Sequence, residues 1–445
     1  MNNKLAKSYS RLTSSLTLGA LIVAAPAGAA SFQVTKFTDG YDGVCDSDCS
    51  LREAIQQANE NAGPDKIILD AGVYKLSIPA DSAMDEEDEN LNGDLDILDD
   101  LVIEGQGIDI SIIDADGLDR AIEVLKEVKV EMRGFTIRNG NVRDYGGGIE
   151  NYGELMLRQM RITGNVTKGE LNPGNGGGIS NEGMLDIYQS ILDDNRAQGD
   201  EAHGGAIYNT GSLFVRETTF ENNSSENESL TGAGGAIYNR GVADISRTTF
   251  ANNVADSTGS AFLNDDAADL WLSNSTLSGN IALGENGATL VNGVTNPTLQ
   301  GVATMKVVHV TLADNTGHGF YNYGDVNVRN SLMLGNHLLD NSGFADCADY
   351  GVSYRNKGLM TGIGAGNCKA DMEVASEDVF TQVLYPLMDN SGLTKTHRLR
   401  ETSPAIDAGM GLCARTDQRR VVRPKDGNGD GVENCDLGSF EFVMP

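Results

Sequence analysis

Four groups of polar residues carry the side chains that cleavage of a glycosidic bond uses. They are Asp193-Asp194, Asp265-Asp266, Gly317-His318-Gly319 and Arg355-Asn356-Lys357. Hydrolysis of such a bond needs two carboxyl groups that converge on one point. We therefore treat these residues as candidate catalytic groups only if the fold brings them together. The strands and turns that carry them have to be predicted first.

A glycine-rich acidic segment near the C-terminus has the spacing of a calcium-binding loop. Side-chain oxygens occupy its positions 1, 3 and 5, and Gly431 stands at position 6, as in such loops. Position 12 is Leu437 instead of a glutamate, so a nearby acid has to replace it. The predicted metal ligands are Asp426, Asn428, Asp430 and Glu433. A plain polar turn is the competing interpretation, and the same two interpretations apply to the acidic run 85–100. We expect no required cofactor, with Ca²⁺ as the one candidate ion.

The N-terminus predicts export. Three basic residues precede a short apolar stretch, Leu16–Ala25, which is followed by the small residues Ala27-Gly28-Ala29-Ala30. This is the pattern of a signal peptide over residues 1–30, and its apolar stretch is too short to span a bilayer. The formal net charge of −31 disfavours nucleic acid and anionic membranes as partners, since both need positive charge.

The six cysteines form three local pairs, which predict disulfides in an exported chain. The pairs are Cys45 with Cys49, Cys347 with Cys368, and Cys413 with Cys435. Zinc binding is the alternative, but the one close pair has no second pair or histidine beside it.

A repeat of about 28 residues organises the middle of the chain. Each copy has a small residue, a branched or aromatic residue, a variable residue and Asn. The copies are Gly148-Ile149-Glu150-Asn151, Gly178-Ile179-Ser180-Asn181, Ala206-Ile207-Tyr208-Asn209, Ala236-Ile237-Tyr238-Asn239, Ala261-Phe262-Leu263-Asn264 and Gly319-Phe320-Tyr321-Asn322. An alternating apolar pair follows each copy, and period-two alternation is typical of a half-buried strand. The repeat therefore predicts an all-β fold: a right-handed, single-stranded parallel β-helix, a pectate-lyase-like solenoid.

A second asparagine column lies beyond the third apolar position of each coil. Its members are Asn165, Asn195, Asn223, Asn253, Asn280, Asn315 and Asn336. We expect these side chains to form a ladder of hydrogen bonds between coils and to adopt left-handed backbone at a corner. Insertions at Thr167–Asn175, Ser224–Gly232 and Thr295–Thr304 leave the solenoid at corners, where β-helix proteins place function or tolerate extra length.

The repeat register tests the catalytic hypothesis. In sequence order, the last three of the four groups resemble a polygalacturonase pattern. However, Asp265 follows the Asn264 corner, whereas His318 precedes Phe320, the equivalent of Phe262. The offset is about five or six residues along the coil, roughly 16–20 Å of extended chain, and the groups are two coils apart. They should not converge, and no catalytic residue is assigned.

The segment Cys49-Ser50-Leu51-Arg52-Glu53-Ala54 predicts a capping helix. Ser50 and Glu53 form a capping-box pattern, and the apolar residues after them have helical spacing. This segment resembles the CSLREA motif of exported bacterial β-helix proteins, and Gly93-Asp94-Leu95-Asp96-Ile97 is similar to a segment that follows that motif. The Gly-Gly-Ala-Ile and Phe-x-x-Asn units resemble the repeats of chlamydial polymorphic outer-membrane proteins.

The C-terminal segments 389–397, 403–409, 417–419 and 435–441 resemble the terminal block of the choice-of-anchor Q family. That family continues into a sorting segment, whereas this chain ends at Pro445, which favours free secretion. The predicted organisation is a signal peptide over 1–30, an N-terminal cap over 31–100, β-helix repeats over 101–345, and C-terminal coils with a disulfide-bearing cap over 346–445.

Together these features favour a secreted or surface-exposed protein with a binding, adhesin-like role. Expected partners are extracellular glycans or cell-surface components, with no nucleic acid, no integral membrane span and a monomeric state. The alternative is a polysaccharide-degrading enzyme, a lyase or a glycoside hydrolase of the pectate lyase or polygalacturonase kind. A groove in which two carboxyl groups with raised pKa converge would favour the enzyme.

Overall fold

The computed structural model describes residues 28–80, 89–170, 173–200, 202–227, 229–265, 267–294 and 301–444. The predicted signal peptide over 1–30 lies almost wholly outside this part, and so do residues 295–300 of the third insertion and the Asp85 end of the acidic run. No helix in the described part is long and apolar enough to cross a bilayer.

The chain forms a parallel β-solenoid, as the repeat predicted. Each coil visits three sheets in turn, and equivalent strands of successive coils pair in parallel register; Asn181, for example, lies beside Asn209 of the next coil. Neighbouring coils are therefore about 4.8 Å apart, the ordinary spacing of paired strands. The right-handed sense of the solenoid remains a prediction, which the strong preference of parallel crossovers for that hand supports.

The first sheet, which we call the groove sheet, contains ten short strands in the described residues. They are Leu95–Ile97, Ile122–Val124, Ile149–Asn151, Ile179–Asn181, Ile207–Asn209, Ile237–Asn239, Phe262–Asn264, Ala288–Asn292, His318–Asn322 and Cys347–Asp349. One of these, Ala288–Asn292, is a copy of the repeat that the sequence alignment missed, because Thr289 stands where the other copies have Gly or Ala.

The second sheet, the major sheet, carries two strands from most coils. Its strands are Ser31–Gln33, Asp65–Ile68, Gly72–Lys75, Leu101–Glu104, Ser111–Asp114, Lys129–Arg133, Thr136–Arg138, Glu154–Arg158, Arg161–Thr163, Met184–Tyr188, Ile191–Asp193, Ser212–Arg216, Thr219–Glu221, Val242–Ser246, Thr249–Ala251, Asp269–Ser273, Thr276–Ser278, Thr304–Val308, Thr311–Ala313, Asp325–Leu334, Ser353–Gly362 and Met372–Val374. Alternate residues such as Leu155 and Leu157 point inward and are buried, because successive side chains of a strand face opposite sides.

The third sheet, the corner sheet, consists of very short strands that close each coil. They are Asn141–Val142, Val166–Thr167, Arg196–Gln198, Ser224–Glu226, Val254–Ala255 and Ile281–Ala282. Two predicted insertions therefore begin later than expected, since 166–167 and 224–226 pair as strands before the chain leaves the solenoid.

The core consists of side chains stacked from coil to coil. Phe220 and Phe250, for example, lie parallel with ring centroids 4.9 Å apart. Burial of each such apolar side chain stabilises the fold by roughly 1.5–3 kcal/mol.

Two asparagine ladders, not one, run along the solenoid. In the predicted ladder, Asn195 Nδ2 donates to Asn223 Oδ1 at 3.0 Å. A second ladder joins the corner asparagines of the groove sheet, where Asn181 Nδ2 donates to Asn209 Oδ1 at 2.6 Å. Each amide also bonds backbone groups, so these buried polar side chains are satisfied.

The left-handed backbone expected at the predicted ladder is wrong for the ladder residues themselves. The positive φ angles belong to the residues just before them, such as Asp194 at 55° and Asn222 at 59°. At each corner, therefore, one residue adopts the left-handed backbone conformation, and the next residue makes the hydrogen bonds between coils.

An α-helix, Leu51–Glu60, begins at the predicted capping box. The Ser50 side chain accepts from the Glu53 backbone N–H, and the Glu53 side chain accepts from the Ser50 backbone N–H. Its apolar face is buried against the first coils. Near the other end of the chain lie a 3₁₀ turn, Ser376–Asp378, a π turn, Val379–Val383, and an antiparallel pair, Leu384–Met388 with Thr396–Leu399.

The last part of the chain, residues 389–442, runs back along the flank of the major sheet, and we call it the C-terminal strap. Its contacts with the coils include Thr249 Oγ1 to the Lys395 carbonyl at 2.6 Å, Thr276 Oγ1 to Gln418 Oε1 at 2.7 Å and His397 Nε2 with Ser278 Oγ at 2.9 Å. All three predicted disulfides are present, and Cys413–Cys435 links two parts of the strap.

Candidate functional site

The groove sheet carries a row of outward-facing residues that changes in character along the solenoid. In each three-residue strand the flanking residues face the core, and the middle residue faces out. The middle residues, in register from coil to coil, are Asp96, Glu123, Glu150, Ser180, Tyr208, Tyr238, Leu263, Val291, Tyr321 and Ala348. We call this the outer row. It is acidic in the first three coils and largely aromatic or apolar beyond Ser180, over a length of roughly 43 Å at about 4.8 Å per step.

A buried arginine holds the acidic end of the outer row together. Arg120 Nη1 lies 3.0 Å from Asp94 Oδ2 and 3.0 Å from Glu123 Oε2. Its Nη2 lies 2.5 Å from Glu150 Oε2 and 3.6 Å from Asp144 Oδ1. Arg120 is 2% exposed, so this set of ion pairs, the Arg120 cluster, is almost fully removed from water.

The Arg120 cluster contains carboxyl groups whose pKa is raised. Burial, together with the negative charge of Asp94, raises the pKa of Asp119 to about 6. Burial also raises the pKa of Asp94 and of Glu150, although the Arg120 charge opposes it in both. One guanidinium therefore faces more negative charge than it neutralises, and protons are held more tightly there than in water.

Three carboxylates of this region could hold a metal ion. Asp94, Asp96 and Glu123 each offer an oxygen, and these atoms lie within 4.8 Å of one another. Among the described residues this is the one such group of acidic, histidine or cysteine side chains. Arg120 already pairs with Asp94 and Glu123. The guanidinium therefore neutralises negative charge that a bound metal ion would otherwise neutralise.

The capping helix positions this end of the row. Arg52, in the first turn of the helix, donates to the Asp94 carbonyl at 2.7 Å and to the Gly93 carbonyl at 2.8 Å. Its Nε pairs with Asp39 Oδ1 at 3.0 Å. The CSLREA-like segment therefore anchors the strand that supplies Asp94 and Asp96.

Beyond Ser180 the tyrosines of the outer row belong to two aromatic stacks, the second of which also contains Tyr323 and Tyr350 from just past the corners. In the first, the Tyr208 and Tyr238 rings are stacked 5.7 Å apart, and His203 packs edge-on against Tyr238 at 4.3 Å. In the second, Tyr321 stacks on Tyr323 at 5.3 Å and on Tyr350 at 5.4 Å. We call these five tyrosines the tyrosine row.

Leu263 and Val291 lie between the two stacks and are buried, at 1% and 2% exposed, and Tyr238 and Tyr321 are each 8% exposed. Exposure rises toward the far end, where Tyr350 is 59% exposed. A carboxylate borders the first stack: Tyr238 donates its hydroxyl to Asp265 Oδ2 at 2.8 Å. Arg240 Nε lies 3.3 Å from the same oxygen. The region thus combines aromatic faces, buried apolar residues and fixed hydrogen-bonding groups.

A separate cleft of about 680 Å³ opens at the corners where insertions leave the solenoid. Its lining residues are Gly169, Gln198, Gly199, Asp200, Glu226, Asn227 and Asp256. Burial and the nearby Glu226 raise the pKa of Asp256, whose Oδ2 accepts from the Asn227 backbone N–H at 2.7 Å. The cleft is acidic and polar, and it carries no aromatic residue in its lining.

The described residues of the catalytic hypothesis each contact a different partner. Asp193 pairs with Arg161 at 2.6 Å. Asp265 accepts a hydrogen bond from the Tyr238 hydroxyl at the first aromatic stack. His318 packs against Tyr321 of the second stack, and burial lowers its pKa. Arg355 pairs with Asp325 on the major sheet. Asp266 lies outside the described residues.

The predicted calcium loop has its side-chain oxygens turned to its own backbone. Asp426 Oδ1 accepts from the Gly429 N–H at 2.7 Å, and its Oδ2 accepts from the Gly431 N–H at 2.9 Å. Asn428 Oδ1 and Asp430 Oδ1 accept from N–H groups two residues ahead, and Glu433 is exposed. These bonds are those of a polar turn, and calcium binding by this loop remains a prediction.

The Arg120 cluster was not predicted from the sequence. The first two coils contain the repeat as Leu95-Asp96-Ile97 and Ile122-Glu123-Val124. Apolar residues replace the corner Asn in both, so the alignment began only at Ile149. A search for an outward acidic residue between two branched apolar residues would have extended the register and found the acidic end.

Comparisons with known proteins show the fold and leave the activity open. A model of the Chlamydia polymorphic membrane protein repeat matches residues 217–240, a short part of the chain. Comparison with curated protein sequences gives no match. A crystal structure of pectate lyase Pel9A is similar with a TM-score of 0.50 at 12% identity, covering 94% of this chain and 98% of that one.

The chain shares the solenoid fold of that lyase. The structure of the PL6 family alginate lyase AlyGC is also similar, with a TM-score of 0.36 at 12% identity, covering 93% of this chain and 59% of that one. At such low identity a likeness in fold says nothing about which residues act.

Proposed function

We propose that this protein is an exported β-solenoid that binds an extended extracellular glycan along the tyrosine row of the groove sheet. The observation that carries the proposal is the pair of aromatic stacks on one side of the solenoid, in which Tyr208 and Tyr323 are half-buried and Tyr350 is 59% exposed. The C–H faces of sugar rings pack on aromatic rings, and sugar hydroxyls bond fixed carboxylates such as Asp265. Aromatic residues with one apolar face and one polar edge suit such half-wet contacts.

The length of the tyrosine row and the net charge of the chain suit a linear glycan that is uncharged or weakly charged. The tyrosine row runs along the solenoid axis through several coils, so it offers repeated contacts to a repeating ligand. The chain has a formal net charge of −31, which repels a strongly polyanionic polymer unless cations bridge the two. A surface or matrix location, with an adhesin-like role, belongs to this proposal.

The test is calorimetric titration of a panel of soluble glycan oligomers. Replacement Tyr350→Ala removes the most exposed ring of the tyrosine row and should weaken binding about five- to tenfold, in line with the value of one aromatic contact. Tyr41→Ala is the matched control, because Tyr41 is also exposed, at 41%, but lies outside the row. Equal affinity of wild type and Tyr350→Ala for every bound oligomer would contradict the proposal.

A second candidate, a polysaccharide-degrading enzyme, is favoured by one observation: carboxyl groups with raised pKa converge around Arg120. Against it stands their burial, since the Asp94, Glu123 and Glu150 side chains are only 4–10% exposed and each is tied to the guanidinium. We therefore expect no turnover in reducing-sugar and unsaturated-product assays on a polysaccharide panel, with and without calcium. Turnover that Asp119→Asn abolishes would establish the enzyme instead.

A further inference from the structure

The only tryptophan of the chain is exposed on the water-facing side of the major sheet. Trp271 lies at the centre of the strand Asp269–Ser273 and is 50% exposed. Lys306 of the next coil holds its ammonium group 5.5 Å from the ring centroid. Half of the Trp271 side chain is therefore exposed to water, beside a fixed positive charge.

Trp271 belongs to a second row of outward residues, which we call the Trp271 row. In register from coil to coil, it contains Met156, Asp186, Phe214, Asp244, Trp271 and Lys306. Apolar and charged side chains alternate, so the apolar ones recur at every second coil. The exposed Met184 and Val242, in the column beside it, add apolar surface.

Trp271 makes a cation–π contact with its register partner Lys306, and no second ring lies directly beside it in the row. Aromatic residues strengthen a sheet when they are direct neighbours on adjacent strands, as Phe220 and Phe250 are inside the solenoid. Phe214 and Trp271 are separated by Asp244 and cannot stack on each other. The exposed Trp271 ring and the half-buried Phe214 ring are therefore two coil steps apart, with a carboxylate between them.

We propose that the Trp271 row is a second binding surface, for an extended, neutral β-1,4-linked glycan. Two coil steps are about 10 Å, which is close to the length of one disaccharide in such a chain. Successive sugars in an extended β-1,4 chain are flipped, so every second ring presents the same face. One sugar stacks on Phe214, the next but one stacks on Trp271, and the Asp244 carboxylate accepts a hydroxyl hydrogen bond from the sugar between them.

The geometry also selects against other glycans. An α-1,4-linked chain coils and does not keep two rings in line on a flat sheet. A chain of uronic acids would bring its carboxylates against Asp186 and Asp244, which costs binding energy because like charges repel. The Trp271 row and the tyrosine row lie on different sheets, so each surface can be tested alone.

The single tryptophan supplies a direct readout. Titration of the full-length exported chain with cellohexaose should shift the Trp271 emission to shorter wavelength and protect it from acrylamide quenching, since the sugar excludes water from the ring. Maltohexaose and an oligogalacturonate should leave emission and quenching unchanged. No response to cellohexaose at millimolar concentration, or an equal response to maltohexaose, would overturn the proposal.

Variants separate this surface from its surroundings. Phe214→Ala keeps the reporter and should weaken cellohexaose binding about five- to tenfold, the value of one ring contact. By calorimetry, Trp271→Ala should weaken binding by a similar factor, and Trp271→Phe should recover most of the loss. Val73→Ala is the matched control, because Val73 is 40% exposed on the strand Gly72–Lys75 of the major sheet, outside the Trp271 row, and carries no ring.

Two further outcomes are decisive. Tyr350→Ala should leave the Trp271 signal intact, so a failure of the groove-sheet proposal and a failure of this one are distinguishable. An emission shift that depends on protein concentration without glycan, and that Trp271→Ala abolishes in light scattering, would show that the face binds a second copy of the chain and would overturn the glycan proposal.

Discussion

Replacing Arg120 with methionine tests whether the Arg120 cluster is an ion-pair network that supports the fold. The substitution keeps side-chain volume and removes the guanidinium that lies 2.5–3.0 Å from Asp94, Glu123 and Glu150. Breaking a buried ion pair by removing one partner costs about 3–5 kcal/mol, because the remaining charges stay in a medium of low dielectric constant. The N-terminal coils and the outer row depend directly on this network.

The loss should depend on pH, and its sign follows from protonation. In the wild type burial already raises the pKa of Asp94 and Glu150, and loss of the opposing Arg120 charge raises their folded-state pKa further. Stability is then retained at low pH and lost as pH rises. Protonating one carboxyl with an ordinary pKa of roughly 4.3 costs about 1 kcal/mol at pH 5 and about 4 kcal/mol at pH 7.5. The variant should therefore lose more stability at pH 7.5 than at pH 5, by up to about 3 kcal/mol.

Urea denaturation of wild type and Arg120→Met at both pH values measures this difference. Arg143→Met is the control, because Arg143 pairs with Glu170 at 3.3 Å while both side chains are half-exposed, and such pairs contribute about 0–1 kcal/mol. Adding Glu150→Gln to Arg120→Met should recover part of the loss at pH 7.5. A loss below about 1 kcal/mol, or the same loss at both pH values, would refute the interpretation.

Three further predictions concern other parts of the molecule. Asn223→Ala removes the acceptor of two hydrogen bonds from Asn195 and should lower the free energy of unfolding by about 1–3 kcal/mol. A loss below about 0.5 kcal/mol in urea denaturation would show that the asparagine ladder does not stabilise the fold. Burial raises the pKa of Glu441 to about 7, so the wild type should lose stability between pH 5 and 8, on the order of 3 kcal/mol. Glu441→Gln should flatten that slope, and an unchanged slope by thermal denaturation would count against it. If the loop at Asp426 binds calcium, titration calorimetry should detect a site that Asp426→Asn removes; identical heats for both chains would leave only the polar turn.

The sequence contained most of the fold because the solenoid repeats its own contacts. Asn195 and Asn223 are spaced by one coil, so their column could be read directly, and the cysteine pairs were local enough to be joined correctly. The capping box at Ser50 and Glu53 is a short-range pattern with one structural outcome. Each of these features depends on residues close in sequence or one coil apart.

The candidate sites depend on features that a repeat alignment hides. The residue between Ile and Asn in each copy was treated as variable, yet it is the residue that faces outward, and its change from Glu150 to Tyr208 defines the site. Arg120 precedes the aligned part of the repeat and pairs across several coils, so no local pattern marks it. The spacing of Phe214 and Trp271 becomes meaningful only once the strands are in register.

The C-terminal strap changes how the solenoid should fold. A stack of coils is nearly one-dimensional, since each coil contacts its neighbours at separations of about 25–30 residues, and such arrays can fray from either end. The strap adds hydrogen bonds across far longer stretches of chain: 146 residues between Thr249 and Lys395, and 203 between Glu217 and Arg420.

Closing such long loops is slow, so these contacts form after the local ones. The coils precede the strap in the chain and can stack without it, so the strap docks on a surface that already exists. Its docking joins the separate coils into one cooperative unit.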